Sequence, residues 1–229
     1  MKGKVICAAV LLLISLHAFA QQTYVNRVGF FTGYSYLNTS SLGLGQHGFN
    51  ASGGVNISRS IELGSDFSVL KGNTNLGINQ TKLRPVLAPI LAAHGIPAGA
   101  LANVALPVDA TTYTYQIGGQ INIRRWQRFT PFVRPVLGAM HEMVDVKIAN
   151  PALAPIFAAA GLKPHAGDTV PMFGIGGGID LNASRHFGLR FSVDYAHTAM
   201  FDSMLYHQNT LRFSVGPTFK FGELPQRRH

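Results

Sequence analysis

Apolar and polar residues alternate with a period of two along most of the chain beyond its first twenty residues. The clearest stretch is 49–58, where Phe49, Ala51, Gly53, Val55 and Ile57 interleave with Asn50, Ser52, Gly54, Asn56 and Ser58. Successive side chains of a strand point to opposite faces, so this stretch presents one apolar and one polar face. Segment 61–70 repeats the pattern, with Ile61, Leu63, Phe67 and Val69 against Glu62, Gly64, Asp66 and Ser68. Segments 112–124, 170–182, 188–198 and 210–221 do the same, and 27–37 and 129–142 follow it with more noise. The pattern predicts eight strands, each long enough for a tilted crossing of a membrane at roughly 9–11 residues.

Which face lies outside follows from residue size. The apolar set is bulky and aromatic: Phe30, Tyr34, Phe67, Tyr115, Phe173, Phe191, Phe213. The polar set is crowded with Gly, Ser, Asn and Thr. Small polar residues suit the narrow interior of an eight-stranded barrel, and bulky apolar ones suit lipid. A soluble barrel would place the same faces the other way round. Pro131, Pro135, Pro171 and Pro217 all fall on the apolar face. Links between the strands alternate in length. Ser58-Arg59-Ser60, Arg124 to Arg128 and Ala183 to His186 make short turns, while the other links are longer, the longest spanning about 71–111 and 148–168. The expected fold is therefore all-β: an eight-stranded antiparallel up-and-down transmembrane β-barrel with short periplasmic turns and long extracellular loops.

Composition supports this picture. The chain is 47% hydrophobic and 13% charged, and beyond residue 20 it has no unbroken apolar run of the ~18 residues that a spanning helix needs. Residues 1–20 read as a signal peptide. Lys2 and Lys4 precede the apolar run from Val5 to Leu16, and Ala18-Phe19-Ala20 fits a cleavage site. That leaves residues 21–229 as one outer-membrane barrel domain. The sole cysteine, Cys7, lies in the signal segment, so disulfides and thiolate metal sites are not expected. The formal charge of +9 falls to +7 without Lys2 and Lys4. Its basic residues are dispersed, which argues against a nucleic-acid partner.

Several stretches together resemble the OmpA/OmpX-like outer-membrane β-barrel domain family. They are Gly33-Tyr34-Ser35-Tyr36-Leu37, Thr130-Pro131-Phe132-Val133, Gly176-Gly177-Gly178-Ile179-Asp180, Leu189-Arg190-Phe191, Val193-Asp194-Tyr195 and Leu211-Arg212-Phe213-Ser214-Val215-Gly216. The resemblance implies a stand-alone barrel without a peptidoglycan-binding domain. It also implies outer-membrane lipid and, during biogenesis, the barrel-assembly machinery as partners. In the family the last strand usually closes near the chain terminus on an aromatic residue. Here Phe219 and Phe221 fit, and Gly222 to His229 follow them.

Three groups of residues are candidates for chemistry. The first is a charge network in the lumen, with Glu62, Asp66, Glu142, Asp180 and Asp194 facing inward beside Arg124, Arg134, Arg190, Arg212 and Lys220. Unpaired buried charges are costly, so these are expected to pair and to plug the barrel. The second is the histidines. His141 neighbours Glu142, and His197, Asp202, Ser203 and His207 lie around the last loop. They lack ligand spacing and form no convincing catalytic set, so no catalytic, metal or cofactor site is expected. The third is a repeat in the long loops: PVLAPILAAHG over 85–95 and PALAPIFAAAG over 151–161. Each predicts a short helix, begun after Pro89 or Pro155 and ended at Gly95 or Gly161. Leu87, Ile90, Leu91, Leu153, Ile156 and Phe157 would form an apolar interaction surface, for an extracellular ligand or protein or as a lid. The expected role is thus a non-enzymatic barrel acting structurally or through its loops. The alternatives are gated uptake of small hydrophobic solutes and, less favoured, a membrane-embedded lipid-modifying enzyme.

Overall fold

The computed structural model describes residues 24–77, 81–82, 84–93, 105–147, 155, 158, 163–202 and 205–224. Eight strands follow one another: β1 (Asn26–Thr39), β2 (Leu44–Asn56), β3 (Ile61–Gly77), β4 (Ala105–Asn122), β5 (Phe129–Val146), β6 (His165–Asn182), β7 (Phe187–Thr198) and β8 (Gln208–Glu223). Each pairs antiparallel with the next, and β8 returns to β1 to close the barrel. Closure leaves no sheet edge in lipid, where an unpaired backbone group has no water to turn to.

The faces divide as residue size dictates. Phe30, Tyr34, Phe49, Ile117, Ile175 and Tyr195 are exposed on the outer wall, and Ser35, Asn50, Ser68, Thr114 and Ser214 are buried inside. Three short turns join the strands at one end, over residues 57–60, 123–128 and 183–186. Two of them are built alike. The Ser58 hydroxyl accepts the amides of Ser60 and Ile61, and the Ser184 hydroxyl accepts those of His186 and Phe187. The first and last strands begin and end at this periplasmic end, where Asn26 pairs with Glu223.

At the extracellular end the strands run further than their alternation foretells, and the reason is an inversion of the pattern. Up to Val69, β3 turns apolar side chains outward. Past it, Lys71, Asn73 and Asn75 are exposed while Leu70 is buried and Leu76 faces the lumen. On β4, Leu106, Val108 and Ala110 are buried. On β5, Val144 faces inward and Asp145 outward. The upper wall thus has the polarity of a barrel in water, apolar within and polar without. The expected strand ends at 70, 112, 142 and 170 are the places where the sign changes. The link between β1 and β2 is also shorter than expected. It is a 3-10 turn over Ser40–Leu42 closed by Gly43, whose φ of 60° suits glycine.

The loop after β3 carries helix α1 (Arg84–Ala93). It begins five residues before Pro89, after which the sequence predicts its start. Pro85 occupies its first turn, where a missing amide costs nothing, and Pro89 lies in its interior. Leu87 is fully buried and Ile90 half-buried. The side chain of Leu91 lies outside the described residues. So do Leu153, Ile156 and Phe157 of the second repeat, of which only Pro155 and Ala158 are described, both helical.

Candidate functional site

The lumen is layered along its axis. Nearest the periplasm, Arg190 meets Asp180 through two parallel bonds of 2.6 and 2.9 Å. The pair spans β6 and β7, whose register sets these two residues opposite each other. Phe132 turns inward over Gly178, its cross-strand partner, where an added Cβ would lie 2.8 Å from the ring. The Arg190 guanidinium lies 4.6 Å from the ring centroid of Phe132. Arg124 donates to the Asn56 side chain at 2.7 Å and the Arg59 carbonyl at 2.8 Å. Lys220 bonds Asn182, and Glu62 accepts from Asn122 at 3.3 Å.

One layer higher, four side chains form a closed cluster. Asp194 accepts from Arg134 at 2.8 Å and from Arg212 at 2.7 Å. Asp66 accepts from the same two arginines at 3.4 and 2.8 Å. Asn50 adds a bond to Asp66 at 2.8 Å. Of the ten charged residues expected inside, these four and the Asp180–Arg190 pair are joined as ions. Glu62, Arg124 and Lys220 have the neutral partners already named.

Glu142 stands apart from this network. Between it and the Asp66–Asp194 cluster lies an apolar layer of Leu37, Leu70, Val136, Met140, Met172, Ala196 and Met200, all buried. Above that layer the inverted wall encloses a cavity of about 80 Å³. Leu42, Leu44, Leu76, Leu106, Val108, Ala110, Val144, Val146 and Ala166 form its sides, with Thr74, Thr81 and Lys163 among the lining residues. Phe201 and Leu205, from the loop between β7 and β8, complete it. Glu142 lines the same cavity and is 6% exposed.

The described residues of that last loop are tied down on both sides. Phe201 has a φ of 49°, uncommon for a large residue, and its amide donates to Asp168 at 2.5 Å. Leu205 donates back to the Phe201 carbonyl at 2.7 Å and bridges to Thr81. Lys82 donates to the Asp202 carbonyl at 2.6 Å and carboxylate at 3.0 Å, and lies 5.6 Å from the Tyr206 ring centroid. The bond and charge of Lys82 hold the Asp202 carboxyl below the usual carboxylate range.

His47, His141, His165, His197 and His207 lie towards this end of the barrel. His47 bonds Tyr34, His141 bonds Thr169 at 2.7 Å, His165 bonds Asp145, and His197 bonds Asn209 at 2.9 Å. His197 and His207 face each other at 5.6 Å between centroids, with Phe173 beside His197. Tyrosine, phenylalanine and histidine here make the aromatic belt of a membrane interface. Asp202 points to Lys82 instead of a histidine, and Ser203 lies outside the described residues. Among the described residues, no three His, Cys, Asp or Glu side chains are grouped so as to hold a metal.

The outer membrane protein beta-barrel domain family matches residues 6–219. The chain belongs to this family. It is accordingly a bacterial outer-membrane barrel protein, with its turns in the periplasm and its long loops outside. Among solved structures, the Neisserial surface protein A (NspA) is similar with a TM-score of 0.53 at 10% identity, over 85% of this chain and 96% of NspA. OprG from Pseudomonas aeruginosa is similar with a TM-score of 0.52 at 10% identity, over 88% of this chain and 99% of OprG. At such identities the likeness is one of fold. No curated protein matches the sequence.

Sequence reasoning placed the lumen charges but overlooked the apolar cavity above them. The signal was present. Beyond each crossover the inward positions are Leu76, Leu106, Val108 and Val144, and the outward ones are Asn75, Asp109, Asp145 and His165.

Proposed function

We propose that this outer-membrane barrel captures small apolar molecules from outside the cell in the cavity at its extracellular mouth. The observation that carries this reading is the lining of the upper lumen, where strands of five different positions in the barrel, β2 to β6, all turn apolar side chains inward. Exposed to water, such a surface is unfavourable at about 25 cal/mol per Å², so an apolar occupant stabilises it. The expected interaction surface on the twin loop repeats receives less support, because Leu87 is fully buried and so unavailable to a partner. Residues 1–20 act in this reading as the signal peptide that delivers the chain to the envelope.

The test uses a reporter at the rim. The described residues contain no cysteine, so a single Lys163→Cys, carrying an environment-sensitive fluorophore, reports on the cavity without competing thiols. With the barrel in lipid nanodiscs, a short alkane such as pentane should shift the label's emission in a saturable way. Replacing Val108 and Val144 with serine should abolish saturation. A response that merely tracks partitioning into lipid, unchanged by those serines, refutes the reading.

A further inference from the structure

We infer that the molecule held in this cavity carries a cationic head, a small alkylammonium with an apolar body, and that Glu142 receives the head. The inference rests on the apolar cavity proposed above and adds to it the chemistry of the occupant. Its first support is the state of the Glu142 side chain. It is more than nine-tenths buried and lines the cavity, yet it belongs to no ion pair. Its one bond among the described residues is from the Thr112 hydroxyl at 3.0 Å, to Oε1. That hydroxyl has a single proton to give, and Gln46 stands against it as well, with Nε2 at 2.8 Å and Oε1 at 2.9 Å. Among the described residues no side chain or amide donates to Oε2, which is left to the cavity. A buried carboxylate ordinarily has two or three donors or a cation.

The second support comes from across the strand. The β5–β6 register sets Glu142 directly opposite Asp168, and both stand at inward positions. Asp168 is occupied by the backbone amides of Thr169 and Phe201 and by no basic side chain. Like charges directly opposite destabilise a sheet, and among the described residues no basic side chain bonds either carboxylate. Lys163 lines the mouth but is exposed and bonds to neither carboxylate. The upper cavity is therefore apolar on its sides, with Glu142 as the one carboxylate among its lining residues. A primary ammonium has three donors and one charge on a compact head. It fits Oε2 of Glu142, while its hydrocarbon body meets the leucine and valine walls. The cavity of about 80 Å³ is smaller than the 150 Å³ that admits benzene. A short chain is accordingly favoured over a ring.

The experiment compares three probes of like size, pentane, butanol and butylamine, on the full barrel in nanodiscs with the Lys163→Cys reporter. Parent and Glu142→Gln proteins are both titrated. Glutamine keeps the shape and strands no cation, and an unchanged shift in gel migration between unheated and boiled samples confirms that the variant folds. Butylamine should bind more tightly than pentane by about tenfold or more, the worth of a bond to a buried charge. Glu142→Gln should abolish that preference, so that butylamine and pentane bind the variant alike. A preference for butylamine that persists in Glu142→Gln overturns the assignment to Glu142. Equal binding of pentane, butanol and butylamine overturns the cationic head and leaves the apolar site standing. Saturable binding by none of the three overturns both.

Discussion

Asp194 accepts bonds from two arginines on two other strands, whereas Asp180 accepts from one. Removing a buried acid strands its partners, a loss of about 3–5 kcal/mol for one broken pair. Asp194→Ala should therefore lower the urea midpoint in lipid vesicles more than Asp180→Ala does, followed through the fluorescence of Trp126, the only tryptophan. Equal midpoints for the two variants would deny the cluster its central member. Legibility at this scale is uneven. Parity alone places all ten lumen charges on the inner face, and the turn at 183–186 sets Asp180 opposite Arg190. The reach of Asp66 to Arg134 and Arg212 crosses the lumen between strands that are not neighbours, and no local spacing encodes it. Phe31 and Phe132 break the small-polar rule for the interior. Their reason is a contact with Arg190, which likewise has no sequence signature.

Among elements, strands and turns were easier to read than loops. The period-two segments locate every strand, because lipid on one side and a crowded lumen on the other impose opposite demands on alternate residues. The same logic cut β3 to β6 short, since it assumed one polarity along the whole strand. The tight link at Ser40–Leu42 was hidden for the same reason, with Leu44 and Gln46 facing inward on β2 before the regular pattern begins. Helix α1 was legible from its prolines, though not its first turn. The last loop was not legible at all. Its position depends on Lys82, which is 120 residues from Asp202 in sequence. A carboxyl held below its ordinary value contributes stability above the unfolded value of about 3.9, and this is lost as pH falls through the lowered folded value. Carboxyl-carbon NMR should thus find Asp202 titrating below the ordinary range, and Lys82→Ala should return it there. An Asp202 midpoint that does not move in Lys82→Ala would mean that the staple does not form in solution.

For the whole barrel, the relevant quantity is what can pass along its axis. The Asp66–Arg134–Asp194–Arg212 cluster is polar and could in principle exchange partners. The apolar layer above it cannot, and Leu70 and Val136 in that layer are wholly buried. An ion entering such a layer loses its hydration at a cost of several kcal/mol even after relaxation. In planar bilayers the protein should therefore show no conductance steps, and Asp194→Asn should leave it silent. Serine at Met140, Met172 and Met200 together should admit current. Steps from the parent protein, or from Asp194→Asn alone, would assign closure to the charges instead. The inversion of polarity along the wall has another consequence, which concerns where the barrel floats. Pushed deeper, it would drag Lys71, Asp109, Asp145 and Lys147 into hydrocarbon. Lifted, it would bare Tyr34, Phe49 and Phe173 to water. The line where outward aromatics give way to outward charges works like the load line on a hull, fixing the depth of immersion to within a residue pair or so.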